Sequence, residues 1–358
     1  MDATEQMLKD FTEAHGTSGH EHSARSVMRR RLQQHAELSY DRLGSLIAVK
    51  KGKAERPRVM VAAHLDEVGF MVAEIDERGF IRFLPLGGWW GHVVLGQRVT
   101  IHTRKGPVTG VVGCTPPHLL PDEERKRVLP LEKMYIDVGC RKGFDVPKRL
   151  GIRKGDFITP QSDFTVMASP GMYLAKAFDN RVSCALVCDL VHSLEKKNHP
   201  NTVVAVGTVQ EEVGLRGAQT SAWGVDPDLA LIVDVGLAQD TPGLDKDKEE
   251  RLGAGPAISV YDSGMIPNRR LLQLVIDTAE RAKIPYHLTS IERGANDGAR
   301  ISMSRTGVPT VDFGVPVRYI HSHNGIMCRA DYDRTLKLLQ AVVQKLDRRF
   351  LESLNSVD

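Results

Sequence analysis

Residues 59–69 read Val59-Met60-Val61-Ala62-Ala63-His64-Leu65-Asp66-Glu67-Val68-Gly69. An unbroken apolar run ends abruptly in an imidazole and two carboxylates. A run of this kind predicts a strand buried on both faces, as in a parallel sheet covered by helices. In open α/β sheets ligands bind beyond the carboxyl ends of the strands. His64 and Asp66 therefore stand where such a sheet places its chemistry.

Outward from this strand the texture changes twice. On the N-terminal side, residues 3–13 and 21–36 read as helices, the first with Met7, Leu8 and Phe11 at helical spacing. The Gly- and Ser-containing stretch HGTSGHE links them, and Arg25, Arg29, Arg30 and Arg31 read as a solvated face. Leu38–Tyr40 and Leu46–Val49 read as strands. Over residues 68–165, short β-like runs alternate with Gly, Pro and charged turns: Gly69–Ile75, Phe80–Leu84, Arg98–His102, Val108–Val112, Met134–Val138 and Asp156–Thr159. That pattern predicts a small all-β, barrel-like unit. After residue 170 helices return at Val182–Leu194, Leu215–Trp223, Arg270–Ala282 and Ala330–Leu351. They alternate with strands at Thr202–Thr208, Leu229–Val235, Ile258–Tyr261 and Val308–Phe313. The simplest architecture is one α/β domain, 1–66 plus 166–358, interrupted by a β domain over 67–165.

The composition is that of an ordinary globular chain: 358 residues, 41% hydrophobic and 26% charged. Lys+Arg 48 against Asp+Glu 45 leaves +3, too near neutral to argue for nucleic acid or an anionic membrane. Aromatic residues at 6% also weaken a base-stacking reading. The 5 cysteines are an odd number with no C-x-x-C pair, which argues against a disulfide framework and for a reducing compartment. The acidic, polar N-terminus is not a signal peptide, and no apolar run approaches a membrane span. The expected location is the cytoplasm, with no membrane partner.

Acidic and imidazole side chains recur at the ends of the predicted buried strands. His64 and Asp66 follow the first. Glu211 and Glu212 follow TVVAVGTVQ, Asp234 ends LALIVDV, and His321 and His323 follow VDFGVPVRYI. Asp179 opens the helix after AKAF. A single strand-end Asp is usually a cap or turn residue; the repetition is what brings many carboxylates to one rim. Carboxylates brought together repel, and divalent cations resolve that repulsion. Two histidines with several carboxylates suit zinc, cobalt or manganese rather than calcium. A two-ion centre polarises a carbonyl and acidifies water at neutral pH. Asp66, two residues after His64, is placed to orient that ring. The Glu211–Glu212 doublet allows one carboxylate to bind an ion while its neighbour acts as general base.

The segments AHLDEVGFMV, AKAFDNRVSCALV, VQEEVGLRGA, LIVDVG and VRYIHSH resemble the metal-site segments of metallopeptidase family 42, the tetrahedral (TET) aminopeptidases, which include glutamyl aminopeptidase and the cellulase M-like proteins. The resemblance extends to SGHE, GGWWGHVVLGQRV, GVVGCTPPH and RLGAGPAI, nearly end to end. It implies an α/β metallopeptidase domain with a mixed sheet flanked by helices and an inserted β-barrel domain. It implies a dinuclear-metal aminopeptidase that removes N-terminal residues from short peptides, with two divalent ions per subunit, zinc or cobalt first and manganese third. Residue by residue, His64 and Asp234 would hold one ion, Glu212 and His321 the other, and Asp179 would bridge them. Glu211 would be the general base and Asp66 would support His64. A homo-oligomer, up to a tetrahedral dodecamer, is implied as well.

Two departures stand out. The family usually has Pro where this chain has His323, so His321 and His323 compete as ligands, with His321 favoured. The family's GTDA-like segment is Ala295-Asn296-Asp297-Gly298 here, so Asp297 is not assigned to catalysis. The remaining histidines read as structural or surface groups, with His118 in CTPPH and His20 in SGHE inside family-like segments. Two other readings are a metal-independent, cellulase-like glycoside hydrolase and a non-catalytic scaffold that keeps the fold. The first needs two carboxyls about 5–10 Å apart across a sugar, and neighbouring Glu211 and Glu212 side chains usually diverge.

Overall fold

A computed structural model describes residues 1–196, 198–244 and 249–354. In chain order the strands are β1 (Glu37–Tyr40), β2 (Leu46–Lys50), β3 (Arg58–His64), β4 (Gly69–Ile75), β5 (Ile81–Leu86), β6 (Arg98–Thr103), β7 (Gly106–Gly113), β8 (Tyr135–Asp137), β9 (Phe157–Pro160) and β10 (Thr165–Val166). They continue with β11 (Met172–Ala175), β12 (Thr202–Thr208), β13 (Leu229–Ile232), β14 (Gly236–Leu237), β15 (Ala257–Asp262), β16 (His287–Ile291), β17 (Thr310–Gly314), β18 (Pro316–Arg318) and β19 (Gly325–Cys328). The helices are α1 (Ala3–Glu13), α2 (His22–Leu32), α3 (Asp122–Arg125), α4 (Val146–Leu150), α5 (Phe178–Ser193), α6 (Arg216–Val225), α7 (Arg269–Arg281), α8 (Gly298–Ile301), α9 (Arg329–Val343) and α10 (Arg348–Leu354).

The fold is mixed α/β. An eight-stranded sheet has the order β1-β2-β12-β3-β13-β17-β15-β16. Its centre, β12-β3-β13-β17, is parallel, and β2 and β15 run antiparallel to their neighbours β12 and β17. The central strands are buried along their length because helices cover both faces. Met7, Phe11, Met28, Leu186, Val275 and Leu338 pack with one face. Ala218 and Ala222 of α6 and Ile301 of α8 pack with the other. This explains why residues 59–63 are apolar without alternation. The α1 helix starts at a capping box in which the Asp2 and Glu5 backbone N–H groups each donate to the other's carboxylate at 2.8 Å.

Between β3 and β10 the chain forms a closed six-stranded barrel, β4-β5-β8-β7-β6-β9, with its own core of Phe70, Phe83, Val99, Ile101, Ile136 and Ile158. A further sheet, β10-β11-β19-β18-β14, was not anticipated. Its strands are two to four residues long, too short to show a period. Several expected boundaries also move. The helix expected to run to residue 36 stops at Leu32, and the segment from Glu37 pairs with β2 instead. Ala330–Leu351 is two helices, α9 and α10, interrupted between Val343 and Arg348. The strand expected over Leu229–Val235 pairs only through Ile232, and the one expected from Val308 begins at Thr310. Helix α5 starts four residues before Val182, with Asp179 in non-helical backbone. The five cysteines are free. Among the described residues no helix is long and apolar enough to cross a membrane.

Candidate active site

Parallel register builds the site. Thr208 lies opposite His64 in the β12–β3 pair, and Ile232 lies opposite Ala62 in the β13–β3 pair. The segments leaving β12 and β13 therefore emerge beside His64, carrying Glu211, Glu212 and Asp234. The small sheet supplies the rest. Strand β11 leads into Asp179 and β18 leads into His321. Asn180 Nδ2 donates to Val233 O at 3.0 Å and ties the Asp179 turn to the end of β13.

Six of the seven expected residues converge. His64 Nε2 lies 3.1 Å from Asp179 Oδ1, 3.9 Å from Asp234 Oδ1 and 4.0 Å from Glu211 Oε2. His321 Nε2 lies 3.4 Å from Asp179 Oδ2 and 3.5 Å from Glu212 Oε2. Donor atoms of His64, Asp179 and Asp234 fall within 4.8 Å of one another, as do those of Asp179, Glu212 and His321. Asp179 offers one oxygen to each group. A further set, His64, Glu211 and Glu212, satisfies the same limit. The other nitrogen of each histidine is fixed by a carbonyl: His64 Nδ1 is 3.1 Å from Asp66 O, and His321 Nδ1 is 2.8 Å from Gly88 O. Each ring thus turns Nε2 into the cluster.

The electrostatics fit a cation site. Burial, then the neighbouring charges of Asp179 and Asp66, push the Glu212 carboxyl up to about 8. Burial and the Asp179 charge push Asp234 up to about 7, and burial drives Glu211 upward as well. Asp179 goes the other way, because hydrogen bonds from His321 and His64 outweigh its burial. His321 is held up at about 10 against its own burial by Asp179 and Glu212. Carboxylates crowded until they resist ionisation, interleaved with imidazoles, form an N/O donor set of the type that binds zinc, cobalt or manganese. The residues present fit two divalent ions that share Asp179.

Asp66 is the seventh residue, and it lies beneath the cluster. Its carboxylate accepts Ser18 Oγ at 2.5 Å and the backbone N–H groups of Glu211 and Glu212 at 3.0 and 3.1 Å. It positions the Glu211–Glu212 turn, and it also meets the His64 ring, whose Nδ1 lies 3.1 Å from the Asp66 carbonyl oxygen and 3.6 Å from Asp66 Oδ1. Next to it, fully buried Glu67 accepts Lys176 Nζ at 2.6 and 2.5 Å and the Gly16 N–H at 3.0 Å, with Arg181 at 3.7 Å. Lys176 and Arg181 flank Asp179 in sequence, so this ion cluster locks the Asp179 turn against the His64 loop.

His323 lies outside the ligand cluster. It is buried against Trp89 at a 5.4 Å ring separation, and neither ring nitrogen has a partner. Asp297 is buried and bonded to Thr208 Oγ1, and burial raises its carboxyl to about 6. His118 is exposed, and His20 stacks on Phe157 at 4.4 Å.

Two contributors were missed. The barrel's Gly87–Gly88 segment reaches the site: a Cβ on Gly87, whose φ is +87°, would sit 2.9 Å from Glu212 Oε2, and one on Gly88 3.2 Å from His321 Nδ1. Trp89 anchors this turn through Nε1–H to Gly69 O at 3.0 Å and by stacking on Phe70. The GGWW motif was the available signal. The other is Asp312 on β17, which lines the cleft beyond the cluster and sat inside an otherwise apolar strand.

Comparison with known proteins places the chain in a family. The model of the M42 glutamyl aminopeptidase family matches residues 44–338, and one named AMPT matches residues 2–28. Similar curated proteins include the putative aminopeptidase FrvX of Escherichia coli, 38% identical over 95% of both chains. The glutamyl aminopeptidase of Lactococcus lactis is 37% identical over 95% of this chain and 96% of its own. The lysyl aminopeptidase of Pyrococcus furiosus is 32% identical over 95% and 97%. Among solved structures, a TET aminopeptidase from a marine sediment Thaumarchaeota archaeon superposes with a TM-score of 0.96 at 39% identity, covering 99% of this chain and 100% of that one. The TET1 peptidase of Pyrococcus horikoshii, described as assembling into a tetrahedron or a large octahedral shell, gives 0.84 at 29% identity, covering 96% and 100%. A Thermotoga maritima structure named an endoglucanase gives 0.78 at 30%, covering 97% and 99%. The fold is the mixed α/β fold of TET aminopeptidase structures, with a His and carboxylate cluster that could hold metal. The chain belongs to the M42 aminopeptidase family.

Proposed function

We propose that the protein is a dinuclear-metal aminopeptidase acting on short peptides. The observation that carries the reading is the double use of Asp179, whose two oxygens face His64 and His321 at 3.1 and 3.4 Å. His64 and Asp234 would hold one ion and Glu212 and His321 the other, with Asp179 available to both. When bound, the ions supply Lewis-acid polarisation of the scissile carbonyl and lower the pKa of water. Glu211, held in place through its backbone by Asp66, takes the proton from the attacking water and delivers it to the leaving amine. Asp66 supports catalysis from beneath by fixing that turn. Exopeptidase action is favoured by the glutamyl and lysyl aminopeptidase relatives.

Zinc or cobalt fits the N/O donor set first, with manganese third. Assembly of copies into a tetrahedral dodecamer is supported by a similar structure described as a dodecamer and by the Pyrococcus horikoshii relative described as forming a tetrahedron or an octahedral shell. The endoglucanase name of one similar structure keeps a glycosidase in the test. Hydrolysis of an aminoacyl-p-nitroanilide panel, with EDTA and after adding back zinc, cobalt or manganese, decides it. Cleavage of free-amine substrates but not N-acetylated ones, lost on chelation and restored by metal, is the expected result. Activity on cellulose oligomers that survives EDTA would overturn it.

A further inference from the structure

Beyond the metal ligands the cleft continues along the face of β15, β16 and β17, within a cavity of about 510 Å³. Alternate residues of a strand share a face. Ala257 and Ser259, Thr289 and Ile291, and Asp312 and Gly314 accordingly line this part together. Most are small, which leaves room for a side chain to enter. Gly314 has no alternative, since a Cβ there would overlap Asp234 O at 1.4 Å. Asp312 lies two residues further from the cluster, about 7 Å along the strand.

The deep part of the cleft is acidic, and its acids lack cations. Asp312 Oδ2 accepts Asn296 Nδ2 at 2.9 Å, but its Oδ1 has no partner. Asp262 is only 3% exposed; its Oδ1 closes a turn to Gly264 and Met265, and its Oδ2 has no partner. Neither carboxylate has an ion pair among the described residues, and neither belongs to the proposed metal site. Arg293 lines the same cavity but is exposed, so solvent screens its charge.

We propose that this cleft receives the side chain of the substrate's N-terminal residue and selects a basic one, lysine or arginine, through Asp312 assisted by Asp262. The proposal rests on the aminopeptidase reading above. Small residues give the width, the distance between Gly314 and Asp312 suits a long side chain, and the unpartnered carboxylate oxygens supply the acceptors. Burial and the neighbouring Asp234 charge hold the Asp312 carboxyl well above the usual carboxylate range, and burial raises Asp262 too, so an entering cation is what stabilises their ionised form. A buried site built for a polar group discriminates against the analogue that lacks it more strongly than an apolar pocket discriminates by size. Norleucine, which keeps the lysine stem without its ammonium, is therefore the proper control.

The test is kcat/KM on lysyl, arginyl, norleucyl and glutamyl p-nitroanilides with the metal-loaded full chain. Lysine and arginine should exceed norleucine by about tenfold or more. Asp312→Asn should bring the lysine-to-norleucine ratio to about two or below. Free L-lysine should compete better than L-norleucine against the wild type, a readout that survives if the variant does not fold. Equal rates for lysine and norleucine, or a glutamyl preference abolished by Arg293→Gln, would overturn the selection while leaving the aminopeptidase intact. Failure to cleave any anilide with any metal would overturn the aminopeptidase reading and this proposal with it.

Discussion

Glu211 and Asp179 differ in what their loss removes. Glu211 is assigned a proton, so Glu211→Gln should lower kcat by about 10²–10⁴ while the protein still binds its metal, as elemental analysis of the purified variant would show. Asp179 reaches both halves of the cluster. Asp179→Asn should instead reduce bound metal, and activity should return only at high added ion. The two variants swapping these outcomes would contradict the assignment. Glu211 was legible because it follows an apolar strand, where a polar side chain needs a reason, and Asp179 because it opens a helix after AKAF in a segment that resembles the family's. Asp66 was legible as a neighbour of His64, which its Oδ1 meets at 3.6 Å, but not for its bonds to the backbone of residues 211 and 212. Gly87 and Gly88 were legible only as part of the GGWW motif: a glycine that makes room for a ligand from another part of the chain does not say which ligand.

Among elements, the turn between β11 and α5 depends on the buried Glu67–Lys176–Arg181 cluster. Glu67→Gln would leave two buried cations under-compensated. Breaking a buried ion pair from one side costs about 3–5 kcal/mol, so a large drop in the denaturation midpoint is expected. A loss below about 0.5 kcal/mol would show that the cluster does not hold the site together. The Gly87 turn makes a local demand of a different kind. Gly87→Ala would force Cβ into positive φ and against Val68 and Glu212. It should weaken metal binding by about tenfold or more, with the barrel still folded by circular dichroism. The central strands were readable because their burial on both faces leaves continuous apolar runs. The five-stranded sheet was not, because strands of two to four residues are defined by their partners and carry no period of their own.

At the scale of the whole molecule, the barrel meets the α/β body through a row of histidines. His102 stacks on Phe157 and contacts His15, and Thr159 Oγ1 lies 2.9 Å from His102 Nε2 and 3.0 Å from His15 Nδ1. Burial, together with neighbouring His15 and Lys176, lowers His102 to about 4; burial also lowers His15 and His20. Because the folded state disfavours their protonation, the unfolded chain binds protons first as pH falls. Stability should therefore drop between pH 6.5 and 4, and His102→Gln should flatten that slope in thermal melts. A slope unchanged by the substitution would assign the pH dependence elsewhere. This interface was not foreseen, since the histidines come from distant segments and each alone reads as structural.

The central claim is that strand-end carboxylates and imidazoles form one two-ion hydrolytic centre. Its most direct test is titration of EDTA-stripped protein with zinc or cobalt, following bound metal and aminoacyl-p-nitroanilide hydrolysis together. The stripped protein should be inactive, and activity should recover with binding that saturates at about two ions per chain. Full activity without bound metal, or saturation of binding with no hydrolysis of any free-amine substrate, would contradict it.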